Sequence, residues 1–387
     1  MSQGHEVEVL TGFPNYPNGQ LYEGYKLKFY QREIVNGIKI LRVPLYPSHD
    51  TSFLRRAINY ISFALSASLI GGFVTSRPDV IYAYHAPATI GLPAIVLSRL
   101  KKAPFVYDIN DLWPDSLLST GMMHQGLGMR VLDWWCSFVY HQAAKVTVVT
   151  PGYKERLISK GVLAEKIKMI YNWSDDDKIH FNKRNENLAI RLGMAGRFNV
   201  VFAGNMGKAQ ALEAVLSAAG IVSGVKPEVQ FVFIGGGIEV ERLRVIAEEK
   251  HSENVVFFPR VAYDEIGAIL LLADVLLVHL KDDPLFQITI PSKTQSYLAA
   301  GKPILMAVRG DSADLVKKSQ AGFVCTPEDS EDIADKVMKF LALSSDDLEK
   351  FGQNGRQYYT KELSMSMGTS HFTDIFNTVI KKGNWSN

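Results

Sequence analysis

The sequence predicts an α/β protein built from two doubly wound domains that face a cleft. Three observations carry that prediction: the length, the alternation of β-branched runs with helical stretches, and the arrival of those runs in two separate series. A single core stops growing near ~250 to 300 residues, so a chain of 387 residues requires more than one. The first series of runs covers residues 80–83, 105–107, 146–149 and 167–171. The second covers 200–203, 229–234, 255–258, 275–278, 304–306 and 322–325. Spacings of roughly twenty to thirty residues match a strand, its helix and the return, the repeat of a parallel sheet. The polar, acidic segment Asn172-Trp173-Ser174-Asp175-Asp176-Asp177 follows the first series and marks the boundary. The domains are therefore 1–171 and 172–387, with the C-terminal helix available to pack back on the first.

Composition excludes several classes. With 47% hydrophobic and 21% charged residues the chain is neither disordered nor fibrous. Its two cysteines, Cys136 and Cys325, give no disulfide framework and no cysteine zinc site, which fits a reducing cytoplasm. Residues 1–170 hold 18 Lys/Arg against 12 Asp/Glu, a net of +6, and the remainder 24 against 28, a net of −4. That asymmetry is too weak for a nucleic-acid binder but suits a domain that approaches anionic headgroups. The start, Met1-Ser2-Gln3-Gly4-His5-Glu6, is polar and runs into a strand, so no signal peptide is expected. The apolar stretch 57–74 reads as a helix on a sheet and not as a span, because Asn59, Ser62 and Ser66 draw a polar stripe along it and Gly71-Gly72 ends it. The basic pair Arg55-Arg56 before it leaves room for docking at a membrane interface.

Strand ends facing a cleft favour a diphosphate ligand. In the second domain, Gly204-Asn205-Met206-Gly207-Lys208 follows a strand, where glycines admit close backbone approach and Lys208 adds a cation. Gly235-Gly236-Gly237 follows another. Ile290-Pro291-Ser292-Lys293-Thr294 opens a helix with hydroxyls, a lysine and free amides, a phosphate site that needs no metal. In the first domain, residues 105–107 run into Asp108-Ile109-Asn110-Asp111-Leu112-Trp113-Pro114-Asp115. There Asp108 and Asp111 are candidates to bond sugar hydroxyls or to act as a base, while a turn or capping role competes for Asp111 and Asp115. Neither Asp175-Asp176-Asp177 nor Asp282-Asp283 has a His or Cys cluster beside it, so no metal and no resident cofactor are expected.

Taken together, Gly4-His5-Glu6-Val7 through Gly12 with Pro14-Asn15-Tyr16-Pro17, Asp111-Leu112-Trp113-Pro114, Ile170-Tyr171-Asn172-Trp173, Phe202-Ala203-Gly204-Asn205 with Lys208, Ala273-Asp274-Val275, and Pro291-Ser292-Lys293 with Ala300-Gly301-Lys302-Pro303 resemble a retaining family-4 glycosyltransferase over nearly the whole chain. The resemblance implies the GT-B fold, two Rossmann-like domains. Its nearest branch is that of O-antigen, lipopolysaccharide and capsule transferases, including L-fucosamine transferases. It implies a UDP-sugar donor, an N-acetylated amino or deoxy sugar in this branch, and a polyprenyl-diphosphate-linked saccharide acceptor met by peripheral contact at the cytoplasmic membrane face. It places Asn205, Gly207 and Lys208 near the donor diphosphate, where the strand-end reading adds Gly204, Gly235 and Gly236, and it places Arg260 and Val261 near the base, and Thr289, Ile290, Pro291, Ser292, Lys293 and Ser296 around diphosphate and ribose. Charge on the leaving oxygen is then met by Lys208, Lys293 and helix amides. Three departures stand out. Ile288 and Ser296 occupy the positions of two glutamates seven residues apart, Asn110 replaces a frequent histidine, and family members carry a strand, a Gly-rich loop and a helix ahead of the segment at which this chain begins. A UDP-N-acetylglucosamine 2-epimerase shares the two-domain layout but needs more cleft carboxylates and histidines, and an inactive binding remnant is the reading that the departures favour.

Overall fold

A computed structural model describes residues 1, 3–48, 53–85, 87–119, 122–174, 184–262 and 265–382. The chain forms two compact units, one of residues 1–148, 154–169 and 372–387, the other of residues 149–153 and 170–371. The acidic triplet Asp175-Asp176-Asp177 lies outside the described residues. The last helix, Met365–Lys382, starts in the second unit and finishes in the first, where Phe372 and Phe376 set their ring edges against Tyr82 at 5.4 and 6.2 Å between centroids.

In the first unit the strands are β1 (Glu8–Gly12), β2 (Gln31–Val35), β3 (Ile38–Val43), β4 (Ile81–His85), β5 (Phe105–Ile109), β6 (Lys145–Val148) and β7 (Ile167–Met169). They make two sheets and not the single one expected: a three-stranded sheet ordered β1-β3-β2 and a parallel four-stranded sheet ordered β4-β5-β6-β7. The sequence series also lacked the β2–β3 hairpin, which is antiparallel. Its turn is Asn36-Gly37 with φ of 50° and 79°. Two positive φ values in a two-residue connection match the right-handed twist of the strands it joins, and Asn-Gly is the pair that adopts them most cheaply. β5 is buried along its whole length, as a central parallel strand must be.

The second unit holds β8 (Phe198–Asn205), β9 (Val229–Gly236), β10 (Val255–Phe258), β11 (Val275–His279), β12 (Ile304–Ala307) and β13 (Gly322–Val324), all parallel, in the order β10-β9-β8-β11-β12-β13. Alternate residues feed two cores. Val201, Val232, Leu276 and Ile304 join one, with Tyr297 and Leu298 of a covering helix; Val200, Phe231, Leu277 and Leu305 join the other, with Leu216 and Val337. Burial on both faces explains why these strands read as unbroken apolar runs. The order reverses between β8 and β11, and ligands of such sheets bind beyond the carboxyl ends of the strands at that reversal.

Candidate functional site

The carboxyl end of β8 meets that of β9 at glycines. Gly204 pairs with Gly235 in register, and both have φ values, 145° and 143°, that side chains rarely adopt. A Cβ on Gly235 would fall 2.0 Å from the Gly204 carbonyl oxygen, so only glycine lets the two strand ends lie together. Tyr297, fully buried on the helix Ser292–Ala300, fixes the first of them: its hydroxyl accepts the Ala203 N–H at 2.8 Å and donates to the Ala203 carbonyl at 3.2 Å.

Beyond these ends opens a pocket of about 450 Å³, lined by Ala203, Gly204, Asn205, Ile234, Gly235, Arg260, Val261, Ile266, Leu270, Lys293, Ser296 and Tyr297. Lys293 sits one residue into its helix, which begins after Pro291 with no side-chain cap. Its Nζ lies 3.5 Å from the centroid of the Phe202 ring, and a Cβ on Gly204 would approach it to 3.3 Å. The ammonium nitrogen is buried and makes no hydrogen bond. Burial pushes its pKa down to about 7. A buried amine without an acceptor costs free energy, which the Phe202 ring face offsets only in part.

Of the residues expected at a donor site, Gly204, Asn205, Gly235, Arg260, Val261, Lys293 and Ser296 come together here. Gly207, Lys208, Gly236, Thr289, Ile290, Pro291 and Ser292 do not line the pocket. Lys208 is exposed on the single turn Lys208–Gln210, while the Gly207 N–H is held by Gln210 Oε1 at 2.9 Å. Thr289 gives its carbonyl to Ser312 Oγ at 2.8 Å and its hydroxyl to the Leu285 carbonyl at 2.8 Å. Ser296 shares a 3.0 Å hydrogen bond with Ser174. Sequence reasoning missed Tyr297, Ile266 and Leu270; the apolar pair follows β10 in a short helix, Ile266–Leu270, and an apolar side to a nucleotide pocket is the signal that was there to find.

In the first unit Asp108 is not placed as a base. It is 5% exposed, and its carboxylate accepts from Thr147 Oγ1 at 2.5 Å, Tyr82 Oη at 2.6 Å and Asn110 Nδ2 at 2.7 Å, tying β4, β5 and β6 together. Burial raises its pKa against the opposing pull of those bonds. Asp111 is half-buried and accepts the Trp113 indole N–H at 2.9 Å. Asp115 pairs with Arg156 and Lys160 and is held below the usual carboxylate range by them, once its burial is overcome. Among the described residues no group of three or more His, Cys, Asp or Glu is gathered to hold a metal ion.

Two parallel-sheet α/β units, the second with a pocket at its sheet reversal, define the GT-B class of glycosyltransferases. The chain matches the family model described as glycosyl transferase 4-like domain over residues 1–173 and the one described as glycosyl transferases group 1 over residues 185–358. It is 30% identical over 308 residues to the putative colanic acid biosynthesis glycosyl transferase WcaI of Escherichia coli (strain K12), covering 78% of this chain and 74% of that protein. It is 26% identical over 297 residues to the probable glycosyltransferase WbjE of Pseudomonas aeruginosa, covering 75% and 73%. In fold it is similar to Anabaena Alr3699/HepE, solved in complex with UDP-glucose, with a TM-score of 0.69 and 16% identity over 97% of this chain and 100% of that one. The chain belongs to the family-4 glycosyltransferases and is a transferase, which sets aside the epimerase reading.

Proposed function

We propose that this enzyme moves a sugar from a UDP-sugar to a polyprenyl-diphosphate-linked saccharide, with retention, in the synthesis of a surface polysaccharide such as O-antigen or capsule, and that it needs no metal to hold the donor. The observation that carries the donor half is Lys293: a buried, unpartnered cation donor at the floor of a pocket formed by glycine strand ends. A diphosphate is the ligand that turns this costly amine into a favourable one, through charge-assisted hydrogen bonds worth about 1.5–3 kcal/mol. The uncapped amides of the same helix start add to it. Arg260 and Val261, with Ile266 and Leu270 behind them, suit a flat base, and the Ser296 hydroxyl replaces a carboxylate toward the ribose. WcaI is named for colanic acid biosynthesis and HepE is solved with UDP-glucose, and both names support the reading.

In the reaction, the bond between the anomeric carbon and the β-phosphate oxygen breaks, its electrons go to that oxygen, and the acceptor hydroxyl bonds the same carbon as its proton is released. Lys293 and the amides hold the new negative charge. The test is UDP release on incubation with a panel of UDP-sugars and lipid-linked acceptors in excess chelator. Acceptor-dependent release with at least one sugar is expected. Release that appears only with another nucleotide, or only when divalent metal is restored, would refute the proposal.

A further inference from the structure

His279 ends β11, beside the strand reversal, and is fully buried. Its Nδ1 lies 2.7 Å from the Gln210 carbonyl oxygen, which can only accept, so the ring carries its proton there. The bare Nε2 accepts the Glu328 N–H at 3.1 Å. Burial is the main cause that takes its pKa down to about 4, with the nearby Lys293 charge acting the same way against the Gln210 bond and the Glu328 carboxylate. At pH 7 the ring is therefore neutral, with one donor and one acceptor fixed at two corners of a rigid plane.

Each of its bonds ends on a loop that follows a different strand. Gln210 closes the turn after β8, and Glu328 belongs to the loop after β13. Both loops hold a residue other than glycine in the left-handed region, Ala211 beside Gln210 at φ 43° and Glu328 itself at φ 61°. Such backbone persists only where its surroundings impose it. Two neighbours of His279 tighten the same tie: the Lys281 N–H donates to the Ala209 carbonyl at 2.9 Å and the Asp282 N–H to Glu328 Oε2 at 2.7 Å.

The turn that His279 holds continues one wall of the donor pocket. It follows Asn205, which lines the pocket, and Gln210 folds back on it: Oε1 accepts the Gly207 N–H at 2.9 Å, and the Gln210 N–H donates to the Gly207 carbonyl at 3.0 Å. Neither bond of the imidazole reaches Arg260, Val261, Ile266 or Leu270, the other side of that pocket.

We infer that His279 is a positioning residue for the donor diphosphate: through the Gln210 carbonyl it sets the turn 207–210, and with it Asn205 and the exposed Lys208, against the phosphates without itself touching the ligand. The inference rests on the donor reading of the pocket. It assigns different work to the two ring nitrogens, the Nδ1 bond serving the ligand and the Nε2 bond serving only the fold.

That division can be tested with two amides. An asparagine side chain reaches as far as Nδ1 and can donate to Gln210, whereas a glutamine reaches as far as Nε2 and can accept from Glu328. UDP affinity is measured by calorimetry in excess chelator, uridine affinity by ligand-observed NMR, and melting temperature on the same samples. Both variants should melt below the parent and bind uridine as it does. His279→Asn should keep the parental UDP affinity, and His279→Gln should lose it by roughly ten-fold, the least that a misplaced charge-assisted contact is worth. Gln210→Leu, on a half-buried turn, leaves the buried ring untouched and should lower UDP affinity with the same sparing of uridine. Equal UDP affinity in His279→Asn and His279→Gln, losses of UDP and uridine in parallel, or parental UDP affinity in Gln210→Leu would each overturn the inference. A parent that binds uridine and UDP equally well would instead refute the donor reading of the pocket, and this inference with it.

Discussion

Lys293 and His85 are both buried nitrogen bases without hydrogen-bond partners, yet they differ in what could supply one. Lys293 opens on a pocket; His85 is fully enclosed, stacked on Tyr107 at 5.3 Å between centroids with Trp113 at its edge. Burial holds the Lys293 pKa near 7 against an ordinary 10.5, so between those values the unfolded chain binds a proton that the native chain does not. Native stability therefore rises with pH across that window, by about 1.4 kcal/mol per unit at most. Lys293→Met should raise the melting temperature of the unliganded protein at pH 7 and abolish UDP binding, a pairing that thermal shift and calorimetry read directly. His85 has its pKa pushed down to about 3, and the window lies on the acid side: stability is lost as pH falls from about 6.5, where unfolded histidine begins to charge. His85→Phe should flatten the fall in melting temperature between pH 6.5 and 5, a span over which one such histidine costs about 2 kcal/mol. His279, held low by burial, to about 4, against the opposing pull of its bond to the Gln210 carbonyl, keeps part of the slope.

Among elements, the paired strand ends of β8 and β9 decide whether the pocket exists. Gly235→Ala should destabilise the second unit by roughly 1–3 kcal/mol, the cost of a strained backbone plus the clash with the Gly204 carbonyl. It should weaken UDP binding with it, whereas Gly236→Ala, where no atom lies within 4 Å of a Cβ, should do neither. Chemical denaturation of the two variants separates these outcomes. The same elements show what could be read from the chain. β8, β9, β11 and β12 are legible because double burial makes each an apolar run, and the half-buried edge strands β10 and β13 keep short apolar runs of their own. The hairpin at Asn36-Gly37 carries its own turn signal, but its half-exposed strands are interrupted by Arg32, Glu33, Lys39 and Arg42 and so lack the unbroken apolar run that marks the others. Lys293 was found from its helix start, but Tyr297 was not, because its partner Ala203 is 94 residues away and only packing reveals it. Asp108 was legible as a strand-end carboxylate, but the Tyr82 and Thr147 hydroxyls that occupy it come from neighbouring strands.

At the scale of the whole molecule, the two-unit α/β class followed from length and the two strand series, while chain assignment near the junction did not. Residues 149–153 belong with the second unit because Thr150 Oγ1 donates to the Ile288 carbonyl at 2.7 Å and the Gly152 N–H to Asp311 at 2.7 Å, contacts that no local pattern encodes. The division of the first unit's strands between two sheets was equally hidden, since β1 and β4 look like any other apolar run. The central claim is that Lys293 awaits an anion in the donor pocket, and calorimetric titration of the whole protein with UDP in excess chelator tests it most directly. Run at pH 8 in two buffers of different ionisation enthalpy, it should show binding with uptake of close to one proton, because the diphosphate restores the charge that burial removes from Lys293, and the uptake should vanish with the binding in Lys293→Met. UDP binding of parental affinity in Lys293→Met, or binding by the parent with no proton taken up, would contradict the account.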